Sequence, residues 1–106
     1  MTDDFVIHEP SSLPYGGEWR GRDALQRLYA KVMSLWVDPQ VEWIDLIGGE
    51  AHAVALLRFS MTSPVNGERQ TQTVAEVTEF TGPLMSAMRI HYFDTAALAA
   101  SLEPRA

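Results

Sequence analysis

The sequence of 106 residues contains no cysteine, which excludes a disulfide framework, a thiol nucleophile and a thiolate metal site. Basic residues are also few, because eight Lys and Arg stand against 14 Asp and Glu, giving a formal net charge of −6. Nucleic-acid binding needs a basic patch, so we expect no nucleic-acid partner. No apolar run approaches the roughly 18 residues that cross a bilayer, and the acidic residues 1–4 do not begin a signal peptide. We therefore expect a cytoplasmic protein with no membrane partner.

Motifs for metals and phosphates are scarce as well. His8-Glu9 lacks the second histidine of a helical zinc motif, and His52 and His91 fall on different predicted strands. The pairs Gly16-Gly17 and Gly48-Gly49 do not fit a phosphate-binding glycine pattern, and no serine lies in a sharp strand-to-helix turn. We expect no cofactor and no metal.

The length and a hydrophobic content of 46% suit one domain with a single core over residues 1–106. Apolar residues recur at three- and four-residue spacing over residues 22–36, which predicts an amphipathic helix that ends before Pro39. Strands are predicted over 3–9, 41–47, 51–62, 68–80 and 84–93, and a short helix over 95–102. Asn66-Gly67 predicts a hairpin with a type I′ turn. The order β-α-β-β-β-β-α predicts an α+β domain, a curved antiparallel or mixed sheet packed against a helix.

The run from His8 to Asp23 is the most informative part of the sequence. The apolar residues 5–7 lead directly into His8 and Glu9, and a loop rich in Pro and Gly with two aromatic residues follows. Such a stretch holds an ionisable group at the end of a strand while aromatic side chains exclude water, which is typical of a small-molecule pocket. The charges of Arg20 and Arg22 are expected to be solvated.

The residues from His8 to Leu25, the four-strand meander and the ending at residues 90–98 resemble the NTF2-like superfamily, and within it the SnoaL-like branch of polyketide cyclases and ketosteroid isomerases. The resemblance implies a cone-shaped sheet around a pocket. It also implies an N-terminally truncated domain, because relatives have one or two helices before the strand that starts here near Asp3, and the first helix of the isomerases supplies a tyrosine to the oxyanion. We expect a homodimer partner, a rearranged loop or the final helix to cover the sheet face that those helices would cover.

The resemblance implies roles for two carboxyl groups. Glu9 lies where the ketosteroid isomerases place their general base, and Glu76 lies where they place an acid that donates to the developing oxyanion. The base must be ionised near neutral pH, whereas the acid must stay protonated, which apolar neighbours such as Val74 favour. The alternatives are an exposed strand-end carboxylate for Glu9 and a solvent- or dimer-facing charge for Glu76.

Further candidates follow from strand alternation and from the resemblance. If Glu76 points inward, so does Val74. The resemblance places Phe93 in the pocket, and Arg89 and His91 would share its face. His91 could then shuttle protons, unless it is a structural histidine, and Arg89 could pair with a carboxylate or a substrate anion. Three aromatic residues are candidates for substrate contact, with loop anchoring or core packing as the alternative: Tyr15, Trp19 and Trp36.

These residues predict an enzyme that abstracts a proton from a small apolar carbonyl compound in an isomerase- or cyclase-type reaction. One alternative is a non-catalytic pocket protein that binds a hydrophobic ligand, and another is a dimeric interaction module. Replacement of Glu9 by Gln separates the first two, because it should abolish turnover in an enzyme and change affinity only modestly in a binding protein.

Overall fold

A computed structural model describes residues 1–103, in which six strands form one curved, open sheet and two helices pack against it. The helices are α1 (Ala24–Leu35) and α2 (Thr95–Ala100). The strands are β1 (Val6–Glu9), β2 (Gly17–Arg20), β3 (Val37–Gly48), β4 (His52–Thr62), β5 (Arg69–Thr81) and β6 (Leu84–Tyr92). Their order across the sheet is β2-β1-β6-β5-β4-β3, and all pairs are antiparallel except β1 with β6. The predicted α+β class with a mixed sheet is confirmed.

Strand β2 is an element that the sequence pattern did not predict. It pairs with β1 so that Trp19 lies opposite Ile7. Four residues are too few to display the alternation by which a strand is recognised. Gly17 starts the strand with a φ of 93°, a conformation that favours glycine. The loop after Glu9 therefore returns along β1 as a hairpin.

The junction between α1 and β3 is sharper than the sequence predicted. Trp36 is already extended, with φ −111° and ψ 162°, and β3 begins at Val37. The predicted start at residue 41 is wrong, because Pro39 was interpreted as a boundary. A proline is tolerated here since β3 is an edge strand, and the pairing shifts register between Val37 and Gln40 around it.

The hairpin between β4 and β5 is confirmed, but its type I′ turn is wrong. A type I′ turn needs a positive φ at both central residues, and only Gly67 of the Asn-Gly pair has one. Instead, six residues connect the strands, and the Ser63 hydroxyl accepts hydrogen bonds from the backbone N–H groups of Val65 and Asn66. Side-chain hydrogen bonds to the backbone thus hold a wider loop.

An aromatic cluster packs at the end of the fold where α1 joins β3, which we call the narrow end. The Trp36 ring meets Tyr15 and Phe59 edge to face, with centroid distances of 5.8 and 5.5 Å. Its Nε1–H donates to Ser101 Oγ at 3.0 Å, and Leu98 of α2 is fully buried. Neither helix of residues 1–103 is long and apolar enough to cross a bilayer.

Candidate active site

The inner face of the sheet and helix α1 surround a cavity of about 640 Å³ that opens to solvent on one side. This volume lies in the range of small-molecule sites. The acidic and basic side chains in its lining are Glu9, Glu76 and Arg22, and most of the others are apolar. These include Leu25, Leu28, Val32, Met33, Leu57, Phe59, Val74, Met88 and Ile90.

Glu9 occupies the last position of β1 and is only 6% exposed. Its Oε2 accepts a hydrogen bond from the Tyr92 hydroxyl at 3.2 Å, whereas its buried Oε1 has no hydrogen-bond partner in residues 1–103. Burial raises the pKa of Glu9 to about 8, the Tyr92 hydrogen bond opposes this rise, and the charge of Glu76 adds to it. The Glu9 carboxyl is therefore mostly protonated near neutral pH.

Two tyrosines connect to Glu9 through consecutive hydrogen bonds. We refer to this series, Tyr15 to Tyr92 to Glu9, as the tyrosine chain. The Tyr15 hydroxyl donates to the Tyr92 hydroxyl at 3.1 Å, and Tyr92 in turn donates to Glu9. Burial is the largest cause that raises the pKa of each phenol, so both remain protonated donors. Trp19 fixes the start of this chain, because its Nε1–H donates to the Tyr15 carbonyl at 2.8 Å. The two tyrosines thus orient the Glu9 carboxyl group, Tyr92 from the cavity wall and Tyr15 from behind it.

Glu76 reaches the same cavity from the middle of β5. It lies between Ala55 of β4 and Ile90 of β6, so the positions paired with it on the adjacent strands carry no counter-charge. Burial raises the pKa of Glu76 as well. Two carboxyl groups in one apolar cavity favour a state in which one is protonated and the other ionised, which is the pairing that acid–base chemistry needs.

Of the sequence-predicted site residues, the structure brings Glu9, Val74 and Glu76 together in the cavity lining. The three aromatic candidates are placed behind that lining. Tyr15 belongs to the tyrosine chain, Trp19 anchors Tyr15, and Trp36 is part of the core at the narrow end. Their positions therefore fit loop anchoring and core packing, the alternatives to substrate contact.

The predicted placement of Arg89, His91 and Phe93 in the cavity is wrong. Arg89 and His91 are exposed on the outer face of the sheet, where Arg89 Nη1 lies 3.0 Å from Glu79 Oε2. Phe93 follows the last residue of β6 and is 86% exposed, so it does not define which face of the strand points inward. The β6 side chains that line the cavity are Met88, Ile90 and Tyr92.

Tyr92 and Arg22 are among the cavity-lining residues that sequence reasoning missed. Tyr92 shares the alternation of Met88 and Ile90, and that apolar pattern was the available signal. Arg22 was expected to be solvated, and its side chain is indeed 71% exposed, but it also lines the open side of the cavity. No local pattern distinguishes it from Arg20.

The open end of the fold leaves apolar side chains in solvent. Trp43 is 67% and Leu46 is 70% exposed on β3, and Ile44 and Ile47 beside them are also exposed. The final helix packs at the narrow end through Leu98, so it does not cover this surface. The apolar end of β3 remains uncovered within residues 1–103.

Comparison with known proteins identifies the family and the structural neighbours of this chain. The family model of the SnoaL-like domain matches residues 1–88, and no curated protein matches the chain. An NTF2-like protein from Burkholderia thailandensis is 18% identical with a TM-score of 0.84, covering 98% of this chain and 80% of that one. A protein assigned as a SnoaL-like polyketide cyclase from Jannaschia is 14% identical with a TM-score of 0.75, and the match covers 99% of this chain and 75% of that one. TerC, co-crystallised with polyporic acid, is 17% identical with a TM-score of 0.77, and the match covers 96% of this chain and 79% of that one. The architecture is that of the NTF2-like cone.

Proposed function

This chain belongs to the SnoaL-like domain family, and on that premise we propose that it is a small-molecule enzyme that moves a proton on a small, largely apolar carbonyl compound. The observation that supports this most is that two carboxyl groups, Glu9 and Glu76, line one cavity whose other walls are mainly apolar. A neighbour of the same fold, TerC, was crystallised with polyporic acid, which fits the use of such a cavity for a small molecule.

We assign the base to Glu76 and the acid to Glu9, which reverses the roles that the family resemblance implies. With a pKa of about 8, Glu9 is protonated near neutral pH and is suited to donate a hydrogen bond. Glu76 is less buried and has a protonated neighbour, so it is the carboxyl group that ionises. Its raised pKa makes the ionised form a stronger base.

In the proposed reaction, Glu76 removes a proton from the carbon next to the substrate carbonyl. The electron pair of the C–H bond moves toward the carbonyl oxygen, where Glu9 stabilises the developing charge with a hydrogen bond. Return of the same proton from Glu76 to a different carbon gives an isomer. Attack of the enolate carbon on a second carbonyl of the same molecule gives a ring, and the alkoxide left when that C=O π bond breaks takes the proton from Glu76. The apolar walls strengthen both interactions because they exclude water.

Solvent deuterium incorporation tests this proposal without requiring the natural substrate. Apolar ketones are incubated with the protein in heavy water, and NMR measures the exchange of hydrogens next to the carbonyl. Glu76→Gln should slow exchange about 100-fold or more because the base is lost, and Glu9→Gln should slow it about 100-fold because an oxyanion donor is lost. Glu79→Gln is the matched control on the outer face of the same strand and should exchange at the wild-type rate. Wild-type exchange in Glu76→Gln would refute the proposal.

The second candidate function is non-catalytic binding of a hydrophobic ligand, which the size and apolar lining of the cavity favour. In that case an apolar fluorescent probe binds the wild-type protein and the Glu76→Gln variant alike. The wild-type protein then exchanges no substrate hydrogens at any concentration.

We also propose that a second copy of the chain covers the exposed apolar end of β3. This strand is 12 residues long and forms one edge of the sheet, so one side of its backbone has no partner strand within residues 1–103. Long apolar edge strands associate unless something covers them, and pairing of a strand with its own copy needs only a two-fold axis. The exposed Trp43 and Leu46 would be buried by such an arrangement.

A further inference from the structure

The charged side chains of the cavity are separated along it. Glu9 ends β1, whereas Arg22 lies beyond the other end of that strand, where the Gly21 N–H donates to the Phe5 carbonyl at 2.8 Å. Four residue steps lead from Phe5 to Glu9, and a strand rises about 3.3 Å per residue, so the backbone beside Arg22 and the backbone of Glu9 are about 13 Å apart along the strand. The cavity thus has a carboxyl region and, at a distance, a cationic one.

Arg22 has the one basic side chain among the described residues that line the cavity, and its ion pair is weak. Its Nη1 lies 3.6 Å from Asp3 Oδ1, and the Asp3 side chain is almost fully exposed. Exposed ion pairs at such distances contribute little, so an incoming anion can replace Asp3. A guanidinium also offers two parallel N–H donors, which match the two oxygens of a carboxylate.

We propose that the cavity takes an elongated apolar molecule with a carboxylate at one end, which Arg22 holds at the open side while the other end reaches Glu9 and Glu76. This inference rests on the proposed function, because the inner end would bear the carbonyl on which the proton moves. The opposite orientation is disfavoured, since it would place the carboxylate beside the ionised Glu76. A separation of about 13 Å suits an extended chain of roughly ten atoms.

Competition binding near neutral pH tests the inference. Decanoate and decanol, which share a ten-carbon chain and differ in charge, displace the neutral fluorescent probe N-phenyl-1-naphthylamine. Arg22→Gln should weaken decanoate about tenfold, as expected for the loss of a charge-assisted hydrogen bond, and leave decanol unchanged. Arg22→Lys keeps the charge and should retain most of the affinity for decanoate. Arg20→Gln is the matched control, because Arg20 pairs with Glu18 on the surface and does not line the cavity.

The outcomes separate this inference from the proposed function. If Arg22→Gln changes neither ligand, or weakens decanoate and decanol equally, Arg22 does not bind the carboxylate and the inference is overturned, whereas the small-molecule cavity stands. If neither ligand displaces the probe, or the probe does not bind the wild-type protein, the cavity takes no elongated apolar molecule and the inference is overturned, whereas the hydrogen-exchange experiment decides the proposed function separately.

Discussion

Glu9 should make the stability of this fold decrease as the pH rises, the opposite of what a salt-bridged carboxylate does. Its pKa in the folded chain is about 8, above the ordinary value of 4.5. The folded chain therefore holds the Glu9 proton more tightly than the unfolded chain does. The contribution of the group to stability is fully present below pH 4.5, is lost as the pH rises toward 8 and is absent above that value.

The size of the effect follows from the two pKa values. The difference between about 8 and 4.5 corresponds to about 5 kcal/mol, since one pKa unit is worth about 1.4 kcal/mol. The free energy of unfolding of a domain is typically about 5–15 kcal/mol. Ionisation of this single carboxyl group should therefore remove a third or more of the stability.

Urea unfolding followed by tryptophan fluorescence measures this prediction from mildly acidic to mildly alkaline pH. Glu9→Gln replaces the carboxyl group with a neutral group of similar shape that can still accept the Tyr92 hydrogen bond. The variant should match the wild-type protein at the acidic end and exceed its stability by several kcal/mol at the alkaline end. Glu79→Gln, on the exposed outer face, should keep the wild-type slope. Parallel pH profiles for the wild-type protein and Glu9→Gln would refute the reasoning.

Three further substitutions test other parts of the account. Tyr92→Phe removes the hydrogen bond that lowers the pKa of Glu9, so NMR titration should find that pKa raised further, by roughly one pH unit; an unchanged value would contradict the tyrosine chain. Gly16→Ala places a Cβ against the backbone carbonyl oxygen of Pro10 and should destabilise the fold by about 2–3 kcal/mol in urea unfolding, whereas Gly48→Ala, which meets no atom within 4 Å, should not. If the proposed dimer forms, Leu46→Asp should convert it into a monomer in analytical ultracentrifugation, and a monomeric wild-type protein would refute the proposed dimer.

Local sequence patterns indicate the correct sheet face for a side chain when that face depends only on the residue's own strand. Glu9 follows the alternation of the buried Phe5 and Ile7, which fixes the face toward which its side chain points. Glu76 follows Val74 in the same way. The family resemblance implied the cavity position of both carboxyl groups, and alternation along a strand, which is a local rule, agrees with it.

The inward face of the last strand was predicted wrongly because the prediction depended on where that strand ends. Phe93 lies one residue beyond β6, so using it to set the inward face reversed the assignments of Arg89 and His91. The polar character of those two residues indicated an outward face. The alternation of the apolar side chains on the same strand was the better guide.

Other features of the site arise only when the chain is folded. The hydrogen bonds of the tyrosine chain join residues 77 and 83 positions apart, so no window of sequence contains them. The raised pKa of Glu9 likewise depends on burial by several elements rather than on sequence neighbours. The position of Arg22 at the cavity depends on the turn between β2 and α1, and the sequence pattern did not reveal β2.

The central claim is that Glu9 and Glu76 face one small-molecule site, with Glu9 protonated near neutral pH. Carbon-13 NMR of the glutamate side-chain carboxyl groups tests it directly, with signals assigned from Glu9→Gln and Glu76→Gln. We predict that the Glu9 signal titrates near pH 8 and that adding an apolar ketone shifts the Glu9 and Glu76 signals together while leaving Glu79 unmoved. Titration of Glu9 at its ordinary value, or a ketone that shifts neither signal, would contradict the account.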